Sequence, residues 1–127
     1  MSTIGGDPAG LYLKQFLKRN SLLFTGVSLC DVGLQVLATI LAETNIVSLD
    51  LGKNAIGDNG VASLCNVLSE SQINFLNLSC NQISDDGAAS LARALPASLV
   101  QKIDVSRNQL NESSRTKLKA AVQFCIC

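Results

Sequence analysis

Apolar and polar positions alternate in a short phrase that recurs along the chain every 27 residues. Each copy places a polar residue between two apolar ones, as in Leu49-Asp50-Leu51, Leu76-Asn77-Leu78 and Ile103-Asp104-Val105. Alternation with a period of two predicts a β-strand with one buried face. Strands this short are not stable alone, so neighbouring repeats must stack on one another. The pattern predicts four strands, near residues 22–24, 49–51, 76–78 and 103–105.

A helical pattern follows each predicted strand. Val61, Leu64, Cys65 and Leu68 share one helical face, and the equivalent positions of the other repeats are also largely apolar. The pattern predicts helices near residues 34–43, 61–69, 88–95 and 114–123, with this face packed on the sheet. Because each crossover returns the chain in the same direction, the strands are expected to be parallel.

Polar residues recur at the turns between strand and helix. Asn54, Asn81 and Asn108 follow the strands, where an amide can bond backbone groups that a turn leaves unpaired. Val27 replaces this asparagine in the first repeat. Asp58 and Asp85 lie at the predicted helix starts, which suits N-terminal capping or interaction with the helix dipole.

The two ends of the chain depart from the repeat. Asp7-Pro8 indicates a helix start, and a helix to about Arg19 would cover the first repeat. In the last repeat Ser114 replaces a glycine, and the chain is expected to end as an apolar helix end at residues 124–127, before a further strand could form. The ending Cys125-Ile126-Cys127 also resembles the CxC ending of some geranylgeranylated GTPases, which keeps lipidation open as an alternative.

The complete repeat resembles that of the leucine-rich-repeat family, in its ribonuclease-inhibitor-like subclass. The signature positions of the second repeat are Ile46, Leu49, Leu51, Asn54, Ile56, Gly60, Leu64 and Leu68. The resemblance implies an α/β fold: a short, right-handed solenoid with a parallel sheet on the concave side and helices on the convex side. We expect one domain over residues 1–127, with a tail and capping helix over about 1–20. The repeats would span about 21–45, 46–72, 73–99 and 100–127.

Composition narrows the classes of function. Apolar residues make up 47% of the chain and charged residues 16%, which predicts a packed core. The formal net charge is zero, so no long-range attraction to nucleic acid or to an anionic membrane is expected. Histidine is absent, which removes histidine-based catalysis and the commonest metal ligand. We therefore predict a non-enzyme without cofactor or metal.

The cysteines and the N-terminal residues indicate the cellular compartment of the protein. Five cysteines without a CxxC pair indicate reduced thiols, and the first residues lack the basic and apolar regions of a secretory signal peptide. These features predict a cytoplasmic protein.

Residues that alternate with the buried leucines should point outward from the concave sheet. They mix charge with one aromatic side chain, and we predict that they bind a protein partner: Ser48, Asp50, Lys53, Phe75, Asn77, Lys102, Asp104 and Arg107. The register of the repeats should align Asp50, Asn77 and Asp104 in one row. A solvated face without a dedicated partner is the plainer alternative.

Other functions remain open from the sequence. Ran GTPase-activating proteins use this subclass of repeat, and Arg107 could supply an arginine to a GTPase. The chain could also be a fragment of a larger innate-immune receptor or bacterial effector. End-to-end self-association of the solenoid is a further kind of partnership to consider.

Overall fold

The computed structural model describes residues 21–127, so the predicted capping helix at about residues 7–19 lies outside the described residues. Strands and helices alternate along the described part of the chain. The strands are β1 (Ser21–Leu23), β2 (Ser48–Asp50), β3 (Phe75–Asn77), β4 (Lys102–Asp104) and β5 (Phe124–Ile126). The helices are α1 (Asp31–Leu41), α2 (Asp58–Leu68), α3 (Asp85–Ala94) and α4 (Glu112–Ala121), with a 3-10 turn at Leu95–Ala97.

The described strands form one sheet in the order of the sequence, and every neighbouring pair is parallel. The predicted parallel arrangement is therefore confirmed, although β1 to β4 each begin one residue earlier than expected. The prediction that the chain stops before a further strand is wrong. Residues 124–126 pair with β4 as a fifth strand, because α4 ends at Ala121 and returns the chain to the sheet edge.

The core lies between the sheet and the helices. One side chain of each strand faces inward and is almost completely buried in the middle strands, at Leu49, Leu76 and Ile103. Leu34, Leu64, Leu91 and Leu118 meet them from the four helices and are fully buried as well. At roughly 1.5–3 kcal/mol for each buried aliphatic side chain, this contiguous cluster is the main stabilising contribution. The fold is a short leucine-rich-repeat solenoid of the predicted α/β class.

The asparagines after the strands join one repeat to the next. Asn81 Oδ1 accepts hydrogen bonds from the backbone N–H groups of Asn54 and Ile56, both at 2.9 Å. Asn81 Nδ2 donates to the carbonyl oxygens of Leu51 at 2.9 Å and Leu78 at 3.0 Å. Asn54 bonds the turn at Val27 and Leu29 in the same way. The predicted role of these asparagines in satisfying backbone groups is confirmed.

The sequence predicts two alternative roles for the aspartates at the helix starts, capping of their helices or interaction with the helix dipole. Gly57 and Ser84 hold the cap positions of α2 and α3 and neither helix has a side-chain cap, so the capping alternative is wrong. Asp58 and Asp85 lie in the first turns of these helices, where a negative charge interacts favourably with the dipole. Asp58 Oδ1 also accepts from the N–H groups of Ser84 at 2.8 Å and Gly87 at 3.0 Å, at the start of the following helix. Each aspartate therefore stabilises the helix N-terminus of its neighbour.

Gly60 and Gly87 make room for the aspartate of the preceding repeat, Asp31 and Asp58 respectively. A Cβ atom on Gly87 would collide with Asp58 Oδ1 and lie 2.8 Å from Ile83 Cγ2. In the last repeat Ser114 takes this position, and its hydroxyl donates to Asp85 Oδ1 at 2.8 Å. The serine thus bonds to the carboxylate that the glycine elsewhere accommodates.

None of the helices described over residues 21–127 is long and apolar enough to cross a membrane.

Candidate functional site

The parallel register places the predicted surface residues in rows across the sheet. Ser48, Phe75 and Lys102 are paired neighbours on β2, β3 and β4. The row predicted from the sequence is also present, since Asp50 lies beside Asn77 and Asn77 beside Asp104. These residues alternate with the buried leucines and therefore point away from the helices.

The second row also shapes the turns that follow the strands. Asp50 Oδ1 accepts from the N–H of Gly52 at 2.9 Å, and Asn77 Oδ1 accepts from the N–H of Ser79 at 2.9 Å. Asp104 Oδ1 accepts from both the N–H and the hydroxyl of Ser106, at 3.0 and 2.7 Å. Each side chain is thereby fixed before any partner arrives. Within the described residues no donor bonds to Oδ2 of Asp50 or Asp104, so these atoms can accept from a partner.

A third row lies just beyond the strand ends. The N–H of Lys53 donates to Ser79 and the N–H of Cys80 to Ser106, at 3.0 and 2.9 Å, which keeps adjacent turns side by side. Lys53, Cys80 and Arg107 all adopt left-handed backbone, with φ of 59°, 56° and 57°. The first repeat has Gly26 at this position, with φ of 67°. The side chains of Lys53 and Arg107 in this row are exposed.

Phe75 is less exposed than the sequence suggested. Its side chain is half-buried, and the ammonium group of the neighbouring Lys102 lies 5.5 Å from the ring centroid. At that distance the cation is attracted to the face of the ring, by about 0.5–1 kcal/mol at an exposed site. Phe75 thus points outward, and its ring shares this surface with a lysine.

Two residues of this surface were not identified from the sequence. Phe124 extends the row of Phe75 and Lys102, and Ile126 lies beside Asp104. Their side chains are 58% and 44% exposed, so they add the largest apolar area at this end of the face. The alternation Phe124-Cys125-Ile126-Cys127 was the available signal, since it has the period of a strand.

The Cys125 thiol at this end of the sheet is held in its protonated form. Burial, followed by the hydrogen bond with Cys127, raises the pKa of the Cys125 thiol to about 12. Burial likewise raises the pKa of Cys65, which lies among the helices, to about 11. Such thiols are poor nucleophiles at neutral pH. No group of three or more His, Cys, Asp or Glu side chains over residues 21–127 could hold a metal ion.

Comparison with known proteins supports the repeat and its fold. The family model described as "Leucine Rich repeat" matches residues 43–65 and 73–92. Among curated proteins, none matches the chain. A solved structure of "Leiomodin-1 Actin-Binding Site 2 (ABS2)" superimposes with a TM-score of 0.73, covering 88% of this chain and 75% of that one at 15% identity. At this identity the likeness shows the fold alone.

Proposed function

We propose that this short leucine-rich-repeat solenoid is a non-catalytic module that binds a protein partner on the concave face of its sheet. The observation that carries the proposal is the alignment of three polar rows around the half-buried ring of Phe75. An aromatic side chain ringed by polar groups is the usual composition of an energetically important interface centre.

Preorganisation of the face favours binding. The carboxylates of Asp50 and Asp104 are already fixed by turn N–H groups, so a partner need not order them. Lys53, Lys102 and Arg107 contribute cations beside these carboxylates. A surface with both signs of charge fits a protein with complementary charges better than a uniformly anionic nucleic acid.

The fold and the similarity to a known structure support protein binding as the class of function, and they do not identify the partner. The similar leiomodin-1 structure is named as an actin-binding site, so a solenoid of this shape serves protein binding in that protein. The pairing of a three-residue strand with a helix of ten or eleven residues supports assignment to the ribonuclease-inhibitor-like subclass. An odd number of cysteines without a CxxC pair supports a cytoplasmic location in this proposal.

The test compares surface variants with a matched variant on the helix side. A partner is first isolated from the native cell, and its affinity is then measured by calorimetry. Phe75→Ala is expected to cost about 2 kcal/mol or more in binding, roughly a thirtyfold loss. Arg107→Glu should also weaken binding, whereas Arg93→Glu, which reverses an exposed charge on α3, should not.

Two results would contradict the proposal. Unchanged affinity of Phe75→Ala and Arg107→Glu, with folds intact by circular dichroism, would place the binding surface elsewhere. The other result would be acceleration of GTP hydrolysis by a GTPase when the purified chain is added. If Arg107→Glu removed that acceleration, the GTPase-regulator alternative would be supported.

A further inference from the structure

The last strand of the sheet, β5, has one free edge. The N–H of Phe124 donates to the carbonyl oxygen of Gln101 at 2.9 Å, and the N–H of Val105 donates to that of Ile126 at 2.8 Å. The backbone groups of Phe124 and Ile126 therefore face β4. Because successive residues of a strand direct their N–H and C=O groups to alternate sides, those of Cys125 face away from β4. In the part of the chain that the structure describes, no strand pairs with that side.

This edge lacks the features that commonly protect edge strands. Natural edge strands carry charged residues, proline or a bulge, which hinder the addition of a further strand. β5 contains no charged residue and no proline, and it pairs with β4 in regular register. The side chains of Phe124 and Ile126 on β5 are exposed. An added strand would therefore find both unpaired backbone groups and apolar surface.

A cavity of about 630 Å³ at this edge carries positive charge. The side chains of Lys102 and Lys119 contribute to its lining, together with residues 123–126, and no carboxylate does. Lys102 is the first residue of β4, and Lys119 lies in the last turn of α4, so both lysines lie near the start of β5. Interfaces pair a positive patch with a negative one, and this cavity is therefore complementary to an acidic segment.

The charges favour a segment of another protein over a second copy of this chain. A second copy that paired through the same edge would bring Lys102 and Lys119 again, with no carboxylate from the cavity lining to pair with them. Like charges across an interface oppose association. Carboxylates of an acidic segment would instead form charge-assisted hydrogen bonds with the lysines.

We propose that the free edge of β5 binds an extended, acidic segment of another protein, which joins the sheet as an added strand. The backbone of the segment bonds the N–H and C=O groups of Cys125, and its aliphatic side chains pack on Phe124 and Ile126. Acidic residues at one end of the segment meet Lys102 and Lys119. This site goes beyond the concave-face function and does not rest on it, because its readout is the affinity for a synthetic peptide.

The test measures the binding of labelled peptides to the 127-residue chain by fluorescence anisotropy. One peptide is Glu-Glu-Val-Thr-Val-Thr-Val, and a second has the reverse order, since the added strand can be parallel or antiparallel to β5. At least one of them should bind. Replacing its two glutamates by lysines should weaken binding by about tenfold or more, because attraction to the two lysines of the cavity becomes repulsion.

Methylation of the peptide backbone tests the strand pairing itself. Only alternate residues of an added strand direct their N–H groups toward β5. N-methylation of those residues should abolish binding, whereas N-methylation of the intervening residues should leave it. Equal affinities of the two methylated peptides would contradict strand addition.

Lys119→Glu tests the cavity on the protein side. It should weaken binding of the acidic peptide by roughly three- to tenfold. Arg93→Glu is the matched control, because Arg93 lies in the last turn of α3, and it should leave the affinity unchanged. Circular dichroism of both variants verifies that the fold is intact.

Three results would overturn the proposal. The first is failure of both acidic peptides to bind, and the second is unchanged affinity in Lys119→Glu. The third is a doubled molar mass of the free chain by light scattering that Phe124→Ser returns to a single chain, since this would assign the edge to a second copy.

Discussion

The turn asparagines carry more hydrogen bonds than any other side chain described. Asn81 is 8% exposed and bonds backbone groups of its own repeat and of the preceding one. Removing a buried partner leaves backbone donors and acceptors unpaired, which costs more than the bond itself contributes. We expect Asn81→Ala to lower the free energy of unfolding by about 1–3 kcal/mol, measured by urea denaturation.

Val27→Ala is the internal comparison, because Val27 stands at the equivalent position of the first repeat and is 55% exposed. It should change stability by no more than about 0.5 kcal/mol. Equal urea midpoints for Asn81→Ala and wild type would show that solvent satisfies the freed backbone groups.

Asp58 illustrates a single side chain that joins two helices. Its carboxylate accepts from the N–H groups of Ser84 and Gly87 and from the Ser84 hydroxyl. We expect Asp58→Ala to cost about 1–3 kcal/mol in thermal or urea unfolding. Asp86→Ala removes an exposed charge from the first turn of α3 and should cost at most about 1 kcal/mol. A larger effect at Asp86 would mean that the helix dipole outweighs the inter-repeat bonds.

The hydrogen bonds between Asp85 and the start of α4 should make the stability of the protein depend on pH. The N–H of Asn111, then the Ser114 hydroxyl, lower the pKa of Asp85 below its usual value of 3.8. A carboxylate with a lowered folded-state pKa stabilises the protein above its unfolded-state pKa and loses that contribution as the pH falls through the folded-state pKa. The contribution of the ionised Asp85 carboxylate to the stability of the protein is therefore complete above about pH 4. Below that pH the contribution is progressively lost.

Asp85→Asn tests this dependence. The asparagine cannot ionise, so the loss of stability on acidification from about pH 5 to about pH 2 should be smaller than in the wild type, as followed by urea midpoints at each pH. Ser114→Ala removes the hydroxyl bond to Asp85 but leaves the bond from the Asn111 N–H, so it should reduce this loss by less. An identical pH profile for Asp85→Asn and wild type would show that this carboxylate does not contribute to acid unfolding.

The structure of the last strand, β5, depends on the helix that precedes it. Residues 124–127 carry strand alternation, but four residues after a helix also fit an apolar helix end. The outcome depends on where α4 stops, and Val122 leaves the helix with extended backbone at φ −142° and ψ 153°. Pairing of Phe124 with Lys102 then completes a strand that brings an aromatic side chain to the concave face.

The stacked repeats should protect the backbone amides of different strands from hydrogen exchange to different degrees. Each repeat contacts only its neighbours, so the middle strands have a partner on both sides, whereas β5 pairs with β4 alone among the described strands. We expect backbone amides of β2 and β3 to exchange with deuterium more slowly than those of β5, as measured by mass spectrometry. Uniform protection from β2 to β5 would indicate that the array opens only as a unit.

The repeat sequence was sufficient to predict the parallel stack of β1 to β4. Leu49, Leu76 and Ile103 recur at a fixed interval with a helical phrase between them, and only a stack of parallel strands buries all of them. The same interval placed Asp50, Asn77 and Asp104 in one row, since equal spacing gives equal register.

Contacts between repeats depended on the tertiary structure. The sequence places Asp58 at a helix start, but only the distance between neighbouring helices shows that its carboxylate reaches the next one. The approach of Lys102 to Phe75 and of Cys125 to Cys127 likewise follows from side-chain directions in three dimensions. A period fixes which positions are neighbours, because it sets the register. It cannot fix which atoms meet there, because that depends on rotamers, on burial and on where each helix ends.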